Sequence, residues 1–487
     1  MPADAVPAGV RSIARTLRAA GHEAHLVGGC VRDLLRGIPP LDWDVATDAR
    51  PDRLLALFSG ARYENRFGTV AVPLRDGVHE VTTFRRDGTY SDHRRPDDVT
   101  FGDTLGEDLA RRDFTVNALA IPLDDDGIPG AVVDLFDGRA DLAAGVLRAV
   151  GDPGARFRED ALRMLRAVRF AATLGFAVEP ATRAALAAEA PLAVNVSGER
   201  TFAELMRLLA AERPSIGLRL AEETGLLAVV APELARQRGI PQAKTPGEDL
   251  WDHTRRTVDA AAPTLVDGLP LARTAALLHD VGKPATFADG HFVGHEAVGA
   301  ELAAAWLDGL RAPRAFSTRV AGLVRHHMFS YAPEWSDAAI RRFIRRVGLA
   351  DIDVLLDLRA ADNVGSGLPS NVDSLDELRE RCLAQVAAHV ALERGGLAVD
   401  GDDLMRALAL APGPAVGRLL DELLERVIAD PMLNERGRLL AIAREVAGDA
   451  AAGGAGDVAA SAAGPDPRLP ERPPEEPPPE PPWEARP

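Results

Sequence analysis

Segment 25–47, HLVGGCVRDLLRGIPPLDWDVAT, constrains this chain more than any other part of its sequence. A short apolar strand leads into the pair Gly28 and Gly29, then a helix, then a second strand that carries Asp42 and Asp44. Residues two apart on a strand point to the same face, so the two carboxylates lie side by side. They repel each other unless a cation lies between them, and oxygen ligands favour one or two divalent ions. The pattern therefore predicts a metal site.

The glycine pair predicts a phosphate-binding turn beside that metal site. Gly28 and Gly29 allow a nucleotide phosphate to approach backbone N–H groups at the start of the helix, and Arg32 adds a guanidinium to the same corner. Glu80, in a later apolar strand, is a candidate third carboxylate, and an exposed strand residue is the alternative interpretation. Residues 85–105 are polar and without period, and we expect a mobile loop over this site.

Length and composition set the outer limits. A chain of 487 residues is too long for a single core and predicts about three or four domains. Its two cysteines, Cys30 and Cys382, form no metal-binding or disulfide pattern, which is typical of a reducing cytoplasm. No apolar run reaches ~18 residues and the N-terminus lacks signal-peptide features, so we expect a soluble cytoplasmic protein without a membrane partner.

The formal net charge of −17 argues mildly against a nucleic-acid partner, because phosphate contacts need Lys and Arg. The charge is unevenly spread, however, and segment 156–169 is rich in arginine. Residues 160–174 have the period of a helix with one apolar and one basic stripe. Steps of three place Asp160, Arg163 and Arg166 along one helix face, and a solvated face with ion pairs is the alternative. A local basic groove on an acidic protein therefore remains compatible with RNA binding.

A carboxylate beside an arginine, as in Asp160 and Arg163, matches only some nucleobases. The carboxylate accepts from an exocyclic amine and the guanidinium donates to a ring nitrogen, which fits the Watson–Crick edges of cytosine and adenine. Guanine and uracil present a carbonyl and a ring N–H at those places, so acceptor would face acceptor and donor would face donor. Such a pair passes C and A, rejects G and U, and acts as a protein template.

Three strings occur in order along the first part of the chain: G-G-x-V-R-D with D-x-D-x-A-T within 28–47, R-R-D-F-T-x-N-A at 111–118, and E-D-x-x-R-x-x-R-A-x-R-F at 159–170. Together they resemble the tRNA nucleotidyltransferase and poly(A) polymerase family of the polymerase-beta-like superfamily. The resemblance implies Mg²⁺ held by the catalytic residues Asp42 and Asp44. It also implies a nucleotide-binding set composed of Gly28, Gly29, Arg32, Arg111, Arg112, Asn117, Asp160, Arg163, Arg166 and Arg169.

A second set of motifs lies in the later part of the chain: WDHT, ALLHDVGKP, FVGHEAVGAE, VRHHM and RAADN. Their H…HD…H…H…D order resembles the all-helical HD metal-dependent phosphohydrolase superfamily. The resemblance implies that one or two divalent metals, of unknown identity, are held by His253, His279, Asp280 and Asp362. Imidazole and carboxylate ligands on separate helices can activate a water. His295, His326 and His327 are further candidates.

We expect an α+β fold with an N-terminal mixed-sheet nucleotidyltransferase head, followed by an all-helical neck, HD body and tail. The expected boundaries are 1–150 for the head, 151–245 for the helical neck with its base-recognition and tRNA-binding parts, 246–370 for the HD domain and 371–447 for a helical segment. Residues 448–487 are rich in Pro, Ala, Gly and acidic residues, and we expect them to be disordered because they cannot bury enough apolar surface.

By resemblance, the expected function is the addition of C, C and A to tRNA 3′ ends, with tRNA, CTP and ATP as partners. A poly(A) polymerase shares the catalytic motifs and is one alternative. Another is a phosphatase or 2′,3′-cyclic phosphodiesterase in which the HD body carries the main activity. A noncatalytic tRNA-binding protein is disfavoured because every expected metal ligand is present in the sequence.

Overall fold

A computed structural model of the chain describes residues 6–64, 68–87, 99–102, 104–241, 247–369, 372–388 and 390–457. The chain divides into two compact units, one formed by Met1–Trp335 with Arg346–Arg381 and the other by Ser336–Arg345 with Cys382–Pro487. Most of the loop predicted over the active site, residues 88–98, lies outside the described residues. Among the described residues, no helix is both long enough and apolar enough to cross a membrane.

A seven-stranded mixed sheet forms the centre of the N-terminal region, with strand order β3-β4-β5-β2-β1-β8-β9. Its strands are β1 His25–Val27, β2 Asp44–Thr47, β3 Arg62–Tyr63, β4 Thr69–Leu74, β5 Gly77–Thr83, β8 Leu119–Pro122 and β9 Val133–Asp134. Only β2 and β5 pair in parallel, and every other neighbouring pair is antiparallel. Two short ribbons are separate from this sheet: β6 Arg85–Asp87 with β7 Val99–Phe101, and β10 Val146–Leu147 with β11 Ala177–Val178.

Helices cover this sheet and bury its apolar face. They are α1 Ala8–Ala19, α2 Gly29–Leu35, α3 Pro51–Leu57, α4 Leu105–Ala110 and α5 Gly138–Ala144. In α1, Val10, Ile13 and Leu17 recur at helical spacing and are fully buried against strand residues such as Leu26 and Val45. This core fixes the strand ends that carry the site.

The rest of the first unit is helical. Residues of α18 and α20 are divided between the two units. In chain order the helices are α6 Pro153–Glu159, α7 Leu162–Leu174, α8 Pro180–Glu189, α9 Gly198–Leu209, α10 Pro214–Glu223, α11 Leu226–Val230, α12 Pro232–Ala235, α13 Leu250–Ala260, α14 Leu271–Leu278, α15 Lys283–Thr286, α16 His295–Gly309, α17 Arg314–His326, α18 Asp337–Val347, α19 Ile352–Gly365 and α20 Val372–Ala387. The predicted order of a mixed-sheet head followed by helices is confirmed.

The second unit has its own helical core. Its further helices are α21 Gly401–Leu408, α22 Pro414–Ala429 and α23 Arg436–Asp457. Leu404, Leu423, Val427 and Leu439 are fully buried in one apolar cluster. Helix α23 runs to Asp457, past residue 448 where we placed the start of the tail, and residues 458–487 lie outside the described part of the chain.

Two expected elements begin later than predicted. Strand β2 starts at Asp44, so Asp42 precedes the strand instead of lying on it. The reason is that the partner strand β1 ends at Val27. The next residue, Gly28, has φ 76° and turns the chain away, so Asp42 has no strand residue to pair with on that side. The expected helix 160–174 begins at Leu162, because the chain first forms α6 and then passes through Asp160 in an extended conformation (φ −142°, ψ 105°).

Candidate active site and metal centre

The first centre is built from carboxylates on adjacent strands of the sheet. Asp44 opens β2 and lies directly opposite Glu80 on the parallel strand β5, so both side chains project from the same face. Partial burial raises the pKa of Glu80, and Asp44 raises it further. Burial also raises the pKa of Asp44, with Arg112 opposing and Asp42 adding to the shift. These acids destabilise one another's charges, and Asp42 and Glu80 are exposed, so the group suits a hard divalent cation arriving from solvent.

The glycine turn lies against this carboxylate group. Gly28 has φ 76°, a region that favours glycine, and a Cβ there would lie 2.7 Å from Nη1 of Arg112 and 3.7 Å from Oδ2 of Asp44. Helix α2 begins at Gly29, immediately after this turn. The predicted corner of glycine pair, arginine and aspartate is therefore present, with Arg32 beside Gly29 as expected and Arg112 beside Gly28 as an additional cation.

Arg32 lies beside the glycine pair, with its Nη2 3.6 Å from the position that a Cβ on Gly29 would take, and its binding of a phosphate stays a prediction. It is buried, its Nε and Nη2 each donate to Asp33 at 2.9 Å, and its Nη1 donates to Oδ1 of Asn117 at 2.7 Å. The Arg32 guanidinium also lies 5.4 Å from the ring centroid of Phe170. These contacts make Arg32 a link between α2, the segment around Asn117 and helix α7.

The adjacent pair Arg111 and Arg112 shares one buried partner that the sequence reasoning missed. Asp108, 1% exposed on α4, accepts from Arg111 at 3.0 and 2.5 Å and from Arg112 at 3.0 Å. Burial alone would raise the pKa of Asp108, but the two guanidiniums outweigh it and lower that pKa. The signal was present in the spacing D-x-x-R-R, since residues three and four apart on a helix are neighbours.

The expected base-reading pair is held by internal partners. Both carboxylate oxygens of Asp160 accept from Arg200 on α9, at 2.6 and 3.2 Å. Arg163, buried, donates to Glu159 at 2.6 Å and to the backbone oxygen of Arg111 at 2.9 Å. Asp160 precedes α7, so the step of three from Asp160 to Arg163 does not place both on one helix face as predicted.

The remaining arginines of α7 connect it to neighbouring elements. Arg166 donates to Asp113 at 2.6 Å, and Arg169 donates to Glu204 on α9 at 2.5 Å. The Arg169 guanidinium lies 3.8 Å from the ring centroid of Phe170, within cation–π distance. Asp113 and Glu204 are buried acids that the sequence reasoning did not single out.

The second centre is a buried cluster of histidines and aspartates from five helical segments. Two groups of possible metal ligands have ligand atoms within 4.8 Å of one another, namely His253, His279 and Asp362, and Asp280, His295 and His327. Asp280 joins the groups, because one of its oxygens lies 3.1 Å from Nε2 of His279 and the other 3.4 Å from Nε2 of His295. All four predicted ligands are thus brought together. Of the further candidates, His295 and His327 join them, and within the described residues neither group includes His326.

Backbone contacts orient these imidazoles. The Nδ1 atoms of His279, His295 and His327 each lie 2.7–2.8 Å from a backbone carbonyl oxygen, which makes Nδ1–H the donor. That tautomer leaves a lone pair on Nε2, and the Nε2 atoms of His253 and His279 face each other at 3.1 Å. Metal-bound histidines typically donate their second N–H in this way, so the cluster fits one or two divalent ions.

A cavity of about 490 Å³ opens beside the cluster. Its lining includes Asp280 and Asp362, the cations Lys283 and Arg359, and the exposed apolar side chain of Val293. Lys283 donates to Asp280 at 2.7 Å. The metal-ligand cluster is therefore reachable by a substrate of small-molecule size.

Comparison with known proteins matches three segments of the chain to family models. The "Poly A polymerase head domain" matches residues 24–148, the "Probable RNA and SrmB- binding site of polymerase A" matches 175–238, and the HD domain matches 250–366. The fold and sites thus define a nucleotidyltransferase that carries an HD domain.

Relatives over most of the chain specify the family. The CCA-adding enzyme of Lacticaseibacillus paracasei is 35% identical over 441 residues, which cover 90% of this chain and 96% of that protein. The CCA-adding enzyme of Geobacillus kaustophilus is 35% identical over 437 residues, 88% and 94% of the two chains. The crystal structure of the Bacillus stearothermophilus CCA-adding enzyme in complex with CTP superposes with a TM-score of 0.68 at 30% identity, covering 91% of this chain and 98% of that one. The chain belongs to the family of CCA-adding enzymes.

Proposed function

We propose that this protein adds C, C and A to the 3′ end of tRNA, with CTP and ATP as nucleotide donors. The observation that carries the proposal is the juxtaposition of Asp44 and Glu80 with the Gly28 turn and Arg112. This juxtaposition supports a divalent-cation site and a phosphate-binding corner at one strand end of a CCA-adding family head.

In this proposal Asp42 and Asp44 hold Mg²⁺, with Glu80 as a neighbouring carboxylate. These carboxylates would hold the metal where its Lewis acidity could stabilise negative charge on the attacking 3′ oxygen and on the departing pyrophosphate. Gly28 and Gly29 give the triphosphate access to backbone N–H groups, and Arg111 and Arg112 bind its oxygens. The buried Arg32 donates to Asn117, and this hydrogen bond holds α2 against the segment that carries these arginines.

Base selection is assigned to Asp160 and Arg163, whose acceptor and donor match cytosine and adenine. Arg200 and Glu159 hold the two side chains in place in the structure. We propose that Arg166 and Arg169 support this pair by fixing α7 to Asp113 and Glu204. A direct contact of Arg166 or Arg169 with the base stays a prediction.

The test is incubation of the purified protein with Mg²⁺ and a tRNA lacking its 3′ CCA, supplied with CTP alone, ATP alone or both. Two additions with CTP and a third only when ATP is also present are expected. A long ladder with ATP alone would identify a poly(A) polymerase instead. Absence of extension under all conditions would contradict the proposal and leave the HD domain as the candidate activity.

A second function is proposed for the HD domain, favoured by the buried ligand cluster. His253, His279, Asp280 and Asp362, together with His295 and His327, suit one or two divalent metals that activate a water for phosphoester hydrolysis. Lys283 and Arg359 line the adjoining cavity and offer cations to a phosphate group. Metal-dependent hydrolysis of nucleotide phosphoesters that survives Asp42→Ala and is lost in His279→Ala would support this activity, whereas loss in both variants would contradict it.

The domain boundaries expected from sequence are kept as part of the proposal. The head spans 1–150, the neck 151–245 and the HD domain 246–370, with helical residues 371–447 after it.

A further inference from the structure

We propose that Asp108 is a positioning residue for the nucleotide. In this proposal its carboxylate aims Arg112 at the triphosphate and keeps that guanidinium away from Asp44. The inference rests on the proposed nucleotidyltransferase function of the head, and the experiments below separate its failure from failure of that function.

The geometry begins with one carboxylate shared by two arginines. Oδ1 of Asp108 accepts from Nε and Nη2 of Arg111 at 3.0 and 2.5 Å, and Oδ2 accepts from Nη2 of Arg112 at 3.0 Å. The Asp108 side chain is 1% exposed, whereas those of Arg111 and Arg112 are 15% and 19% exposed. The acid therefore lies beneath the two cations, which remain partly open to solvent.

The Arg112 guanidinium is anchored through Nη2, and its other nitrogens have weaker contacts or none among the described residues. While Nη2 binds Asp108, Nη1 reaches the backbone oxygen of Asn117 at 3.4 Å and lies against the Gly28 turn. Its Nε is buried and has no hydrogen-bond partner among the described residues. A buried donor without a partner costs free energy, so the protein contacts leave this guanidinium incompletely satisfied. A phosphate oxygen would reach it from the 19% of the side chain that is open to solvent.

Asp44 is the competing acceptor for the same guanidinium. Oδ2 of Asp44 and Nη1 of Arg112 flank the one glycine, Gly28. Without Asp108, Arg112 has lost its anchoring carboxylate, and electrostatic attraction draws it toward Asp44. There it would occupy an oxygen that the divalent cation needs.

The first experiment measures binding of CTP and of ATP in the presence of Mg²⁺ and without tRNA, so that no reaction occurs. Asp108→Ala is expected to raise both dissociation constants about tenfold or more, which is the loss of one charge-assisted phosphate contact. The two nucleotides should weaken alike, because they share the triphosphate. Unchanged affinity, or weakening confined to one base, would overturn the inference.

A matched control separates positioning from general stability. Asp141 is also a buried acid of the head, 6% exposed, and accepts from Arg148 and Thr115. Asp141→Asn is expected to lower the melting temperature while leaving CTP and ATP affinity unchanged. Asp108→Glu keeps the charge at a slightly altered position, and it should recover part of the affinity lost in Asp108→Ala. Equal loss of nucleotide affinity in Asp141→Asn and Asp108→Ala would mean that Asp108 acts only through stability.

The competition with Asp44 has its own readout, which is the Mn²⁺ concentration that half-saturates the head. It is measured by electron paramagnetic resonance in Asp280→Asn protein, because Asp280 joins both ligand groups of the HD cluster and its replacement suppresses the HD signal. Asp108→Ala should raise this concentration, and adding Arg112→Ala should restore it without restoring CTP affinity. A double variant that binds Mn²⁺ as weakly as Asp108→Ala would overturn this part of the inference.

The two proposals fail in different ways. If the wild-type protein binds CTP in an Asp108-dependent manner yet extends no tRNA, the proposed function fails and the role of Asp108 stands. If the wild-type protein completes CCA ends while the Asp108 variants bind nucleotides normally, the role of Asp108 fails alone.

Discussion

The head and the HD domain each bring acidic side chains together, but the pKa values of these acids shift in opposite directions. In the head, Asp44 and Glu80 lie beside other acids, and burial together with this repulsion raises their pKa values. In the HD domain, Asp280 is fully enclosed by His279, His295, His327 and Lys283. Burial alone would raise the pKa of Asp280, but His279 and Lys283 outweigh it and lower that pKa well below its usual range.

The difference indicates how each centre meets its metal. The head group consists of carboxylates whose raised pKa values Arg112 does not offset, which suits an ion that arrives and leaves with a nucleotide. The HD cluster is buried, rich in imidazole, and positioned by backbone carbonyls, which suits a tightly held ion of the borderline type. The comparison predicts that the two centres lose function independently.

The largest expected effect is that of Asp44→Asn. Removing one ligand charge from the head should lower incorporation of both C and A by about a thousandfold or more, since bound metal contributes several kcal/mol to such reactions. The measurement is single-turnover extension of tRNA lacking CCA, with tRNA affinity and HD metal content as controls that should not change. Loss of metal from the HD domain in this variant would contradict the prediction that the two centres lose function independently.

An intermediate effect is expected on metal content in the HD domain. After exposure to a divalent metal and removal of the excess, Asp280→Asn should retain none, because Asp280 joins both ligand groups. His327→Ala should lose only the second ion. His326→Ala is the matched control, since it alters the adjacent imidazole outside both groups, and it should retain all bound metal. Elemental analysis measures each content, and CCA addition should persist in all three variants. Equal retention in His326→Ala and His327→Ala would contradict the assignment.

The smallest effect concerns an acid of the head that already has a cationic partner. Burial alone would raise the pKa of Asp113, but Arg166 outweighs it and lowers the pKa from 3.8 to about 2. The fold therefore favours the charged form of Asp113. Its contribution to the free energy of unfolding is fully present above pH 3.8 and is lost as the pH falls toward 2. The shift corresponds to about 2 kcal/mol at neutral pH.

Replacement by asparagine tests that sign. Urea unfolding at about pH 7, 5 and 3 should show Asp113→Asn less stable than wild type by a similar margin at the first two values and by less at the third. A margin that grows as the pH falls would show that the Asp113 pKa is raised instead. The result would then place Asp113 with Asp44 rather than with the acids that have cationic partners.

Local sequence patterns were enough to predict much of the fold. The start of α2 follows from the Gly28–Gly29 turn. The grouping of Asp44 with Glu80 was left open, because strands 36 residues apart in sequence reveal neither that they pair nor in which register. The displaced start of α7 was missed because Asp152 and Pro153 begin an earlier helix that ends before Asp160.

What the sequence determined by itself was the chemistry available: two aspartates beside a glycine turn, an arginine pair, and an ordered set of histidines and aspartates. Within each motif the residues are close in sequence, and short-range periodicity sets their local conformation. Tertiary structure decided the partners: Asp108 under Arg111 and Arg112, Arg200 on Asp160, and His327 rather than His326 in the metal cluster. The physical reason is that a side chain's partner depends on which helix faces meet, and two adjacent histidines near a helix end point in directions about 100° apart.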